Sequence, residues 1–159
     1  MDNHFCKSLN WKEQIESYQA FHKTKANCYS HYVGIPLIVF SLYCGLSWFR
    51  FFSINIPLSA ATLFFISSFV FYYQLHKKLA LAIAAWTCPL FLIAEEVALM
   101  SFQYSAFIVV VALVVGWFFQ LLGHKIEGNR PAFLTGLSHL WKGPLFITYE
   151  WLSVLGAKF

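Results

Sequence analysis

Four apolar runs, residues 33–52, 54–75, 79–102 and 104–122, fill the middle of this chain. Each is roughly 19 to 24 residues long, enough for a helix rising 1.5 Å per residue to cross a hydrocarbon core about 30 Å thick. The first meets no charge except Arg50, and the second and fourth contain none. The third carries Glu95 and Glu96 near its end and Pro89 as an internal kink point. The expectation is an all-α membrane protein with about four transmembrane helices.

Composition agrees. Of 159 residues 59% are hydrophobic, 20% aromatic and only 11% charged, against about 25% charged in a soluble domain. A soluble core of this length cannot hide so much apolar surface. A disordered chain, a coiled coil and a nucleic-acid module are excluded on the same ground. Cys6, Cys28, Cys44 and Cys88 form no CxxC pair and read as packing residues. The first thirty residues are polar and mixed in charge, so no secretory signal peptide is expected.

The flanks are amphipathic. Residues 9–21 place Trp11, Ile15, Tyr18 and Phe21 near helical spacing, which predicts an N-terminal interfacial helix. Residues 131–155 are apolar but broken by Gly136, Gly143 and Pro144, and carry His139, Lys142 and Glu150. They predict two short C-terminal interfacial helices, with a fifth span as the alternative. The whole chain reads as one integral membrane domain. Residues 1–32 hold the interfacial helix and first histidines, 33–122 the four spans, and 123–159 the later histidines and tail.

The basic residues orient the spans. Lys7, Lys12, Lys23 and Lys25 precede the first, Lys77 and Lys78 lie between the second and third, and Lys125, Arg130, Lys142 and Lys158 follow the fourth. An even number of crossings puts these ten on one side and leaves Arg50 alone opposite. Short basic loops stay cytoplasmic, so both termini are expected there. The net charge of +4 is then a topology signal rather than a sign of an anionic partner.

The same topology gathers five of the six histidines: His22 and His31 before span one, His76 after span two, His124 at the end of span four, and His139 in the tail. A one-sided set of neutral imidazoles suits a transition-metal site. His22 and His31 are nine residues apart and converge only if the chain bends between them. Asn27 is the expected N-cap of the helix that follows. Gln120, His124 and Glu127 share one helix face, with Gly123 leaving room for a close neighbour. That favours His124 as a ligand, oriented by Gln120 or Glu127. A lone interfacial histidine is more often a hydrogen-bonded surface group, and Glu127 has Lys125 and Arg130 near it as alternative partners.

Two blocks carry a resemblance. Tyr18-x3-His22-x4-Asn27-x3-His31-x2-Gly34-x-Pro36 is similar to the amino-terminal signature of the membrane 2-hydroxy fatty acid dioxygenases of phytosphingosine breakdown. Gln120-x2-Gly123-His124-x2-Glu127-x3-Pro131-Ala132, followed by Pro144, Phe146 and Glu150, resembles the carboxyl-terminal one. The blocks frame nearly the whole chain. The resemblance implies an Fe(II)-dependent enzyme that consumes O2 and shortens a 2-hydroxy fatty acid by its carboxyl carbon. It implies His22, His31 and His124 as catalytic metal ligands, with Asn27, Gln120 and Glu127 around them. His76 or His139 would be a fourth ligand, a proton relay or a surface group; yeast-like members tend to have Asp and Gln at those places. Gly128 stands where the family commonly has Lys or Arg. Lys23, Lys25 or Arg130 would steer the substrate carboxylate. The expected partners are a 2-hydroxy fatty acid, O2 and membrane lipid, with no nucleic acid. The expected membrane is the endoplasmic reticulum in a eukaryote or the inner membrane in a bacterium.

Three other classes compete. Di-iron membrane desaturases use about eight histidines with HxxHH boxes, and this chain has six and no such box. A non-enzymatic lipid-binding or scaffold protein would need no metal and be indifferent to His124→Ala. A transporter would show paired halves or central charges beyond Glu95 and Glu96.

Overall fold

The computed structural model describes residues 10–53, 56–129 and 139–157. Six helices and one short hairpin make up these residues, in the order α1 (Trp11–Gln19), α2 (Lys25–Ser47), β1 (Arg50–Ser53), β2 (Ile56–Ser59), α3 (Ala60–Leu75), α4 (Lys77–Leu99), α5 (Phe102–Glu127) and α6 (His139–Val154). It is an all-α membrane protein with the hairpin as its sole addition among the described residues. Three helices, α2, α4 and α5, are long and apolar enough to cross a membrane.

The second expected span differs. The hairpin pairs Arg50 with Ser59 and Ser53 with Ile56, taking up the start of the charge-free run. Pro57 has no N–H to donate and biases the residue before it away from helix. The helix therefore starts only after Ser59, whose side chain and that of Thr62 form a reciprocal capping box. Sixteen residues remain, a rise of about 24 Å.

Contacts sort the helix termini into two ends. At one, Ser47 donates to Glu95 Oε1 at 2.8 Å, Arg50 pairs with Glu95 Oε2 at 3.0 Å, and Trp48 Nε1 donates to Ser105 at 2.9 Å. Ser59 also donates to Glu95. Glu95 thus ties the end of α2, the hairpin and the start of α3 to its own helix. At the other end His22, His31 and His124 lie together, while Trp11 rests on His76, with ring centroids 4.9 Å apart. The helices α2 to α5 run alternately up and down between these two ends.

α2 and α5 approach closely because both present small residues. A Cβ on Gly34 would lie 2.8 Å from the Gly116 carbonyl oxygen, and one on Gly123 would overlap Ser30 and Asn27. Such stripes let transmembrane backbones meet where lipid offers no hydrophobic drive.

α6 departs from the expected pair of interfacial helices. It is a single helix from His139 onward, and residues 131–138 lie outside the described residues. Leu145, Phe146, Ile147 and Thr148 are consecutive and all buried, so neighbours surround the helix on every side. Ile15 of α1 joins Leu145, Tyr72, Leu79 and Ile83 in one core cluster, and Tyr18 joins Ile35, Phe146 and Ile147 in another. Tyr72 donates to the Trp141 carbonyl at 2.8 Å, and Trp86 donates to Thr148 at 2.9 Å. Its 16 described residues are not among the helices long and apolar enough to cross a membrane.

Candidate metal centre

The site starts from a bend. Asn10 caps α1 by accepting from the Lys12 N–H, and the helix ends at Gln19. Thr24 then caps α2, accepting from the Asn27 N–H at 3.3 Å. Asn27 is therefore not the cap expected from the sequence, because Thr24 takes that place three residues earlier. The turn between the helices carries His22, and His31 follows in the second turn of α2.

The bend lets both imidazoles converge. His22 Nδ1–H donates to the Tyr18 carbonyl at 2.7 Å, and His31 Nδ1–H donates to the Asn27 carbonyl at 2.9 Å. These bonds assign the tautomers, leaving a lone pair on each Nε2. The two Nε2 atoms face one another at 2.9 Å. His124, one turn from the end of α5, completes the group, its ring centroid 4.9 Å from each of the others. One ligand nitrogen from each histidine lies within 4.8 Å of the other two, and all three residues are buried.

This arrangement fits a metal ion. Two facing lone pairs at 2.9 Å repel unless a cation lies between them. Burial chiefly, aided by neighbouring His124, lowers the His22 pKa to about 4, despite the opposing Tyr18 carbonyl and Glu127. A proton is thus disfavoured as that cation. Buried His124 Nδ1 has no hydrogen-bond partner.

The surrounding groups hold the rings. Tyr18 stacks on His22 with centroids 4.2 Å apart and planes 9° from parallel, and fully buried Phe146 covers the same ring at 5.0 Å. Asn27 donates its side-chain amide to Glu127 and, at 3.2 Å, to the Phe21 carbonyl. Glu127 also accepts from the Lys23 backbone N–H at 2.5 Å. Glu127 therefore locks the end of α5 to the α1–α2 turn; of the sequence alternatives, Lys125 is not among these bonds and Arg130 lies outside the described residues. Buried Gln120 Nε2 has no partner.

Not every expected residue reaches the cluster. His76 lies at the same end of the bundle but caps α4, accepting from the Leu79 N–H at 3.3 Å. Its place is between the cap and Trp11, so the structure does not bring it to the other three histidines. Arg130 and the side chain of His139 lie outside the described residues. Lys23 and Lys25 are exposed beside the α1–α2 turn. Sequence reasoning missed Ser30, which donates to the Asn27 carbonyl at 2.7 Å and packs against Gly123. Its position three residues after Asn27, on the same helix face, was the available signal.

An apolar cavity of about 580 Å³ has in its wall Tyr18, which stacks on His22, and Gln120, one turn before His124; the three histidines themselves do not line it. Leu46 and Phe49, toward the opposite end of the bundle, also line it.

The fold and site define a helical membrane protein with a buried three-histidine centre beside an apolar cavity. The family model described as 2-hydroxy-palmitic acid dioxygenase Mpo1-like matches residues 8–155, and the chain belongs to that family. It is 29% identical over 150 residues to the 2-hydroxy-palmitic acid dioxygenase of Saccharomyces cerevisiae, covering 93% of this chain and 83% of the yeast protein. No solved structure matches.

Proposed function

We propose that this protein is an Fe(II)-dependent dioxygenase that removes the carboxyl carbon of a 2-hydroxy fatty acid at the membrane interface. The observation that carries the reading is a cluster of three buried imidazoles next to an apolar cavity, with Tyr18 stacked on His22 and lining that cavity. With O2 as oxidant the reaction balances as a fatty acid one carbon shorter, carbon dioxide and water. His22, His31 and His124 would hold the iron, which when bound supplies the redox chemistry that O2 requires.

The chain's own groups do the rest. Tyr18 and Phe146 keep water from the His22 ring, and the two backbone carbonyls keep the Nδ1 protons in place. Gln120 offers its free amide N–H groups where cavity and centre join, suited to an oxygen of the substrate head. Lys23 and Lys25, with Arg130, would draw the carboxylate toward the turn. With α3 as the fourth crossing, the histidine end is the basic end and faces the cytoplasm.

Anaerobic Fe(II) loading of detergent-purified protein, followed by O2 uptake with 2-hydroxypalmitate and with palmitate, tests this. One bound iron and uptake on the hydroxy acid alone are expected. Equal rates on both acids, or no bound iron, would reject it.

A further inference from the structure

The cavity runs along one face of α2, on which Ile35, Val39, Leu42 and Gly45 recur at helical spacing, and Phe49 just beyond the helix also lines it. Most hydroxyls along the wall are engaged: Ser41 donates to the Ile38 carbonyl, Thr87 to the Ile83 carbonyl and Tyr72 to the Trp141 carbonyl, each at 2.8 Å, while Ser68 Oγ has no partner among the described residues. What remains is a surface suited to methylenes. From His31 to Gly45 the helix rises about 21 Å, and from His31 to its end at Ser47 about 24 Å. An extended chain advances roughly 1.2 Å per bond, since three bonds of polypeptide span about 3.3–3.6 Å. A chain whose head lies at the level of His31 therefore reaches the level of Gly45 after roughly 17 bonds and the end of α2 after roughly 20.

Gly45 is the narrow choice at the first of these levels. It lines the cavity, and a Cβ built on it would have no heavy atom within 4 Å. Gly34 and Gly116 are glycine because another helix lies against them, whereas Gly45 faces open space. It also sits inside a helix, where glycine costs roughly 0.5–1 kcal/mol relative to alanine. Packing gives no reason for its missing side chain; the cavity does.

We propose that Gly45 is a specificity-determining residue, an open gate that lets the acyl chain pass into the distal section of the cavity. The site then accepts 2-hydroxy acids well beyond palmitoyl length. This rests on the fatty-acid reading above. Any side chain larger than methyl at position 45 projects into the path and confines the site to chains of roughly 16 to 18 carbons.

The test measures binding of saturated 2-hydroxy acids of graded length to full-length, iron-loaded protein without O2, read as the ligand-induced rise in Tm. The parent protein is expected to bind an acid of roughly 22 carbons at least as tightly as 2-hydroxypalmitate. Gly45→Leu should weaken the longer acid more than tenfold and leave 2-hydroxypalmitate within about twofold. Gly45→Ala, which adds one methyl and favours the helix, should change neither by more than about threefold. Val110→Leu, on a lipid-exposed position of α5, serves as the surface control.

A parent protein that refuses the longer acid, a Gly45→Leu profile superimposable on the parent, or equal weakening of both acids would each overturn the proposal. Binding of the longer acid that is lost in Gly45→Leu while 2-hydroxypalmitate still binds, with no oxidation of any acid, would uphold the gate and reject the dioxygenase reading. Oxidation with an unshifted length profile would do the opposite.

Discussion

Asn27, in the first turn of α2, donates its side-chain amide to Glu127, in the last turn of α5. The Asn27 backbone carbonyl meanwhile accepts from His31 Nδ1–H. One residue therefore joins the helix carrying His31 to the helix carrying His124. Glu127 extends the tie to the turn carrying His22 through the Lys23 N–H.

Glu127→Ala should therefore loosen the centre without removing a ligand. Losing a group that orients metal ligands typically costs 10- to 100-fold in affinity. Anaerobic Fe(II) titration should show that weakening with the stoichiometry at saturation unchanged. Undiminished affinity would mean that the tie does not orient the imidazoles.

Ligand and neighbour separate cleanly among the histidines. His22→Ala, His31→Ala and His124→Ala should each abolish tight iron binding, because each removes one of three nitrogens. His76→Ala should leave iron content unchanged and cost about 1 kcal/mol of stability, the usual worth of a helix cap. Metal analysis beside thermal unfolding checks both halves.

Acid should destabilise the metal-free protein through His22. Its folded pKa is held near 4, chiefly by burial, against an ordinary 6.5. Between those values the unfolded chain binds the proton and the folded one does not, so stability falls as pH drops from about 6.5 to 4. Above 6.5 the group contributes no slope. The full loss is on the order of 3 kcal/mol. Tm measured across this range should fall less steeply in His22→Gln; parallel curves would contradict the buried neutral ring.

Gly123→Ala tests the helix contact beneath the centre. Its new Cβ would meet Ser30 Oγ and Asn27 Oδ1, so the helices must separate. Overpacking of this kind costs roughly 1–3 kcal/mol. Reduced Tm together with weakened iron binding is expected, since Asn27 also carries the Glu127 tie.

Much of this was legible in the sequence because polar residues are scarce. When nearly every other side chain is apolar, a histidine beside a glycine on a transmembrane helix stands out, and His22, His31 and His124 do meet. Position along the chain could not separate them from His76, since one end of a bundle holds several distinct places. Asn27 was misassigned because helix capping and buried amide bonding favour the same residue type. Pro57 was visible, yet the charge-free run around it suggested a full span; the hairpin depends on pairing with residues 50–53. The burial of Leu145 to Thr148 had no local signature at all, because it arises from α1, α2 and α4 closing around them.

The three imidazoles come from opposite ends of the chain: two are synthesised by residue 31, and the third only at residue 124, which is 124 − 31 = 93 residues later. Every helix between them must be made, and α5 seated against α2, before the trio exists. A nascent or truncated polypeptide that stops short of His124 offers iron two imidazoles instead of three. On the proposed function, oxygen chemistry therefore waits until α5 has been made and seated against α2.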